Sequence, residues 1–235
     1  MSGSFAAAMD TLERSPGRPE VFCDIFVGFF PVSGASVATI GEVLGTQTLA
    51  ASDGQAARLD ELQFDLGEGP CWDAMRSAQP VLAPDIRGAG QARWPALSQS
   101  LRAESVSSVF AFPLGVGPLR FGAIDLYTAR PFRLDTAQTH QAGAMAAVVG
   151  RHVLQQAITE VGDDYPEAGN AYSRRLIHQA SGMVLAQLDM SPDDARLVIQ
   201  GHAFATGRAM MEVAQDILDG RLRFVRTANG IEVAT

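Results

Sequence analysis

The hydrophobic period of this chain changes along its length, and any fold must accommodate the change. Between Val106 and Thr128 apolar residues alternate with small ones, as in VSSVFAFPLGV and RFGAIDLYT. That period of two predicts a half-buried strand pair turning at Gly117-Pro118. From Asp135 to about Val161, Ala, Met, Val and Leu recur three and four apart, the spacing of a helix. Gly162-Asp163-Asp164-Tyr165-Pro166 interrupts it and predicts a domain boundary. Beyond the interruption every remaining stretch reads as helical.

Three short apolar stripes follow. Ile177, Ala180, Val184 and Leu188 lie on one helical face, and Ala195, Val198, Ile199, His202 and Ala203 on a second. Met210, Val213, Ala214, Ile217 and Leu218 form a third. Ser191 is placed to cap the second helix, with Pro192 at its first position and Asp193 and Asp194 in its first turn. Gly207 and Gly220 are stops. Three amphipathic helices with short joints predict a small bundle. Upstream, Val21–Phe30 reads as a buried helix, Ala35–Val43 and Thr46–Ala51 as a strand pair, and Val81–Ile86 as a short strand. ARWPALSQSLRAE reads as a helix, residues 52–80 as mixed, and residues 1–18 as a loose tail with at most a helical turn.

Composition narrows the class. With 47% hydrophobic and 19% charged residues in 235, the chain is a folded globular protein. No apolar run approaches the roughly 20 residues that span a bilayer, and no secretory signal opens the chain, so the reading is cytoplasmic without a membrane. Cys23 and Cys71 are too few for a disulfide scaffold. All 18 basic residues are arginine, and the net charge of −8 opposes non-specific attraction to nucleic acid. Phosphate-loop, nucleophile-elbow and metalloprotease motifs are absent, so no enzyme is predicted. His140, His152, His178 and His202 lack metal-ligand spacing and read as structural; neither a metal nor a cofactor is expected.

Two resemblances cover about residues 20 to 220. The run from Ile177 to Leu185, then Ser191-x-x-Asp194-Ala195, His202-Ala203, Gly207-Arg208 and Val213-Ala214, resembles an ANTAR domain. Leu66-Gly67-Glu68-Gly69-Pro70-Cys71, Pro84-Asp85-Ile86, Arg93-Trp94-Pro95, Phe112-Pro113-Leu114 and Gly122–Tyr127 resemble a GAF domain of the type that precedes ANTAR. The resemblance implies an α+β protein. A tail (1–18) precedes a GAF-like antiparallel sheet with flanking helices (19–162) and an all-α three-helix ANTAR domain (163–235). It further implies a signal-responsive regulator that binds RNA hairpins in nascent transcripts and antagonises termination. The chain departs from the family at Ser181, where lysine is usual, at Gln200 for arginine, and at Gly207 for asparagine.

Candidate site residues follow from these expectations. Arg174, Arg175, Arg196 and Arg208, with Ser181 and Gly182, form the expected RNA face. The alternative for the arginines is a solvated face of ordinary ion pairs, since residues 165–235 carry seven arginines against eight acids. Gly182 permits close approach of either RNA or a neighbouring helix, the second being the commoner use. In the GAF-like part, Phe64, Cys71, Trp72, Phe110, Phe112 and Tyr127 are candidates to line a small-molecule pocket, or else plain core. Cys71, at an apparent helix start, is read as a buried thiol, with redox sensing as the alternative. The lysine-containing signature of cyclic-nucleotide binders cannot occur here. The stripe containing Met145, Val148, Val149 and Leu154 exceeds what one sheet face needs and predicts a homodimer through that helix or its continuation past Tyr165. Two other readings remain: an interaction module whose RNA face has decayed, and a redox or small-molecule sensor whose helices only transmit the signal.

Overall fold

A computed structural model describes residues 4–41, 43–160, 174–227 and 230–234. The chain divides into two compact units, 1–172 and 173–235. The predicted break at Gly162–Pro166 lies outside the described residues.

The first unit is built on a five-stranded antiparallel sheet in the order β2-β1-β5-β4-β3. The strands are β1 (Gly34–Thr39), β2 (Gln47–Ala51), β3 (Val81–Ala83), β4 (Ser108–Val116) and β5 (Leu119–Thr128). The strong alternation of the β4–β5 hairpin places it centrally, turning at Gly117 with φ +58°. Ala35, Val37, Phe110, Phe112, Ile124 and Leu126 face one side of the sheet. There they meet α1 (Phe5–Glu13), α2 (Pro19–Phe29) and α6 (Thr136–Glu160). Ser36, Ala111, Asp125 and Tyr127 face the other side, under α3 (Gly54–Leu66), α4 (Pro70–Ser77) and α5 (Pro95–Ser100).

Three expectations need correction here. Residues 5–13 are not a loose tail: they form α1, whose Leu12 is fully buried in the core shared with α2 and α6. The mixed segment 52–80 holds two helices. Asp53 caps α3 by accepting from the Gln55 and Ala56 amides at 2.8 Å, and Gly67 ends it in the left-handed region at φ +67°. Periodicity missed α3 because polar Asp60 and Gln63 sit on its inward stripe. Thirdly, Met145, Val148 and Val149 are not spare dimer surface. Packing α6 against β4 buries them in the unit's own core. Only the far end of the stripe stays outside. There Leu154 and Ile158, with Val116, line an open depression of about 240 Å³.

In the second unit α7 (Arg175–Leu188), α8 (Pro192–Thr206) and α9 (Met210–Leu218) enclose Ile177, Ala180, Val184, Ala195, Ile199, Val213 and Ile217. Ser191 Oγ accepts from the Asp194 amide at 3.1 Å, and Gly207 closes α8 at φ +67°, as the caps predict. The unit is not wholly helical. β6 (Phe224–Thr227) and β7 (Gly230–Val233) form an antiparallel hairpin, and Phe224 joins the helical core. Its sequence signals are short alternation and the Asn229-Gly230 dipeptide.

Candidate RNA face and sensory site

The expected RNA residues separate into three groups. Arg174, immediately before α7, is only 8% exposed. Ser181 is equally buried, and its hydroxyl donates to the Ile177 carbonyl at 2.7 Å, so this position faces the bundle rather than solvent. Both expectations of a solvent-facing contact are corrected by packing: the apolar stripe of α7 carries its flanking positions inward.

Arg208 is exposed but engaged. It donates to Asp216 Oδ2 at 2.7 Å and pairs with Glu212 at 3.6 Å. Arg221 donates to the other Asp216 oxygen at 2.8 Å and pairs with Asp219. Hydrogen bonds from Arg208 and Arg221 hold Asp216 below the usual carboxylate pKa. Two guanidiniums here meet three carboxylates, so the cluster has no net positive charge to offer a phosphate.

The third group stays on the surface. Arg175 opens α7 and is exposed, and Arg196 is half-buried near the start of α8. Gly182 is exposed, and a Cβ built there meets no heavy atom within 4 Å, so it is not a close helix contact. Sequence reasoning missed two further residues of α8: Leu197, next to Arg196, and Phe204, two turns beyond, are 55% and 66% exposed. The signal was present, because both lie off the stripe of Ala195, Ile199 and Ala203.

The six pocket candidates are likewise divided. Phe110 and Phe112 lie on the α2/α6 side of the sheet and cannot line a site under α3 and α4, because alternation along β4 sends them the opposite way. Phe64, Cys71 and Trp72 do come together, the two rings edge-on at 6.4 Å. Tyr127 lies on their side of the sheet and donates its hydroxyl to Asp53 at 3.1 Å.

What gathers beside Cys71 is polar. Asp60 and Asp125 are 1% and 3% exposed. Ser36 and Thr48 donate to Asp60 at 2.7 and 3.0 Å. Gln63 donates to Asp125 Oδ2, while its own carbonyl accepts the Cys71 amide at 3.0 Å. Trp72 Nε1 closes the group by donating to the Gln63 backbone carbonyl at 2.8 Å. Gly69 makes room for this arrangement. Its φ is +137°, and a Cβ there would lie 2.4 Å from Gln63 Oε1. Asp125 Oδ1 and Thr39 Oγ1 are buried with no hydrogen-bond partner among the described residues.

Burial, reinforced by the charge of Asp60, raises the Asp125 pKa well above the ordinary value, against the Gln63 hydrogen bond. Burial, then Asp125 and Asp60, also raises the Cys71 thiol. The interior therefore favours a neutral thiol, the opposite of an activated nucleophile. No group of three or more His, Cys, Asp or Glu among the described residues is arranged to hold a metal ion.

A sheet covered by helices on both faces, with a polar group enclosed on one side, is followed by a compact helical unit. Comparison with known proteins makes this specific. Residues 20–153 match the GAF domain and residues 170–218 the ANTAR domain, so the chain belongs to the GAF domain family and carries an ANTAR domain after it. Both are regulatory domains, and their succession defines a signal-responsive antitermination regulator. No curated protein matches the chain. Among solved structures it is similar to the GAF domain of an Acinetobacter phosphoenolpyruvate-protein phosphotransferase. There the identity is 10% and the TM-score 0.52, over 71% of this chain and 95% of that one. The corresponding domain from Coxiella burnetii gives 12% identity and a TM-score of 0.52, over 67% and 94%. At these identities the likeness is one of fold.

Proposed function

We propose that this chain binds RNA hairpins in nascent transcripts through its ANTAR domain, so that a terminator fails to form, and that its GAF domain gates this binding. The domains extend over about 19–162 and 163–235. The output is binding without catalysis, exerted in the cytoplasm, and two copies of the chain act together as a homodimer. The observation that carries the reading is the succession of a GAF domain and an ANTAR domain. The exposed Arg175 and the half-buried Arg196 on the helical unit supply candidate phosphate contacts. Each phosphate contact releases counterions, so affinity must fall as salt rises.

The gate is the polar group under α3 and α4. Asp60, Gln63 and Asp125 offer carboxyl groups and an amide to a small polar ligand, and Asp125 Oδ1, an acceptor when ionised and a donor when protonated, leaves one position for it. Phe64, Cys71 and Trp72 form its apolar wall. A raised thiol pKa argues against redox sensing through Cys71.

A second reading, a protein-interaction module, is favoured by the burial of Arg174 and Ser181 and by the carboxylates that engage Arg208. Sequencing the RNA that co-purifies with the full chain from its native host separates the two. Enrichment of hairpin-containing leaders supports the first; recovery of RNA no different from a mock purification supports the second.

A further inference from the structure

Phe204 is 66% exposed, and no other phenylalanine, tyrosine or tryptophan among the described residues is as open to solvent. It stands on the outer face of α8 and makes no ring contact with any described residue. Leaving so large an apolar ring in water is unfavourable, and exposed apolar side chains gathered on one face mark contact surfaces. Leu197, seven residues earlier, lies two turns away on the same face and is 55% exposed. Gly201 sits between them. A Cβ there would meet nothing within 4 Å, so the space beside the ring is open.

The charge around this face selects the partner. From Ala195 to Met211 the chain carries no aspartate or glutamate, although it has 26 acids in all. Within that span Arg196 adjoins Leu197 and pairs with no carboxylate among the described residues. Asp193 and Asp194 are confined to the first turn of α8, and between Arg196 and Phe204 there is no carboxylate; a flat ring with a guanidinium two turns upstream suits a polyanion with unstacked rings of its own.

We propose that Phe204 is a stacking platform for an unpaired base of an RNA loop, with the base edge over Gly201 and the adjoining phosphate on Arg196. This inference rests on the RNA-binding reading above and extends it to the loop rather than the stem. RNA loops present splayed bases that stack on aromatic side chains, whereas stems are held through phosphates.

The probe is a fluorescent RNA pool with a constant stem and a randomised loop, compared with the same stem closed by abasic nucleotides. The full-length wild type should bind the pool more tightly than the abasic stem. Phe204→Ala and Phe204→Leu should abolish that preference, a loss of about 5- to 150-fold for one stacked base. Phe204→Trp should retain it. Because the side chain is exposed, none of these changes removes core. Binding of the pool by Phe204→Ala at wild-type affinity overturns the inference, as does a Phe204→Ala chain that loses self-association while its RNA affinity is unchanged. Failure of the wild type to bind either RNA at low salt instead overturns the RNA-binding reading itself.

Discussion

Replacing Asp125 with asparagine keeps the shape of the buried polar group and an acceptor for Gln63, but removes the titratable proton. In the folded chain burial and the Asp60 charge hold the Asp125 pKa above its ordinary value of 3.8. A group raised in this way contributes its full stability below the unfolded pKa and loses it as pH rises through the folded one. The stability of wild type should therefore fall relative to Asp125→Asn from about pH 4 upward. One linked proton changes stability by about 1.4 kcal/mol per pH unit between the two pKa values. For a unit of 172 residues this is about 3–6 °C in Tm per pH unit. The assay is calorimetry of the sensory unit's transition in the full-length chain, at intervals from pH 4 to 8. The gap between variant and wild type should widen with pH and then become constant. In an Asp60→Asn background only burial still raises Asp125, so the widening should stop at a lower pH. Asp60→Asn also removes one acceptor from Ser36 and Thr48, which lowers Tm independently of pH. A gap that stays the same across the whole range would refute the argument, since Asp125 would then bind no extra proton on folding.

Three further outcomes follow from the same geometry. A thiol probe should label Cys71 slowly at pH 7 in the folded chain and rapidly in denaturant; fast labelling under native conditions would restore the redox reading. Arg196→Ala should weaken RNA binding and reduce its salt slope by about one, whereas Arg208→Ala should change the slope less, because Asp216 and Glu212 already hold that guanidinium. Equal slopes for the two variants, measured by fluorescence anisotropy, would contradict the division of the arginines. Ile199→Ala, at a fully buried site in the helical unit, should cost about 2–5 kcal/mol, and an unchanged denaturation midpoint would show that α8 is not packed as described.

The order of residues makes the local elements legible wherever period and punctuation agree. The β4–β5 hairpin, α6 and the three helices α7 to α9 follow from alternation, helical spacing and the caps at Ser191 and Gly207. It also carried the family resemblance, because those motifs are local strings. Where polar residues occupy a buried stripe the local signal failed, and α3 disappeared into a mixed segment because Asp60 and Gln63 break its apolar face. Only tertiary structure decided what each face meets. Alternation puts Phe110 and Phe112 on the same side of β4, yet nothing in the strand says that α2 and α6 cover that side while Phe64 and Trp72 lie across the sheet. The buried polar group draws on positions 36, 48, 60, 63 and 125, which come together only when three strands and a helix assemble. The arginines divide for the same reason. Charge is a property of the residue, but whether it reaches water, a carboxylate or a neighbouring helix depends on packing, and packing is fixed by contacts far apart in the chain.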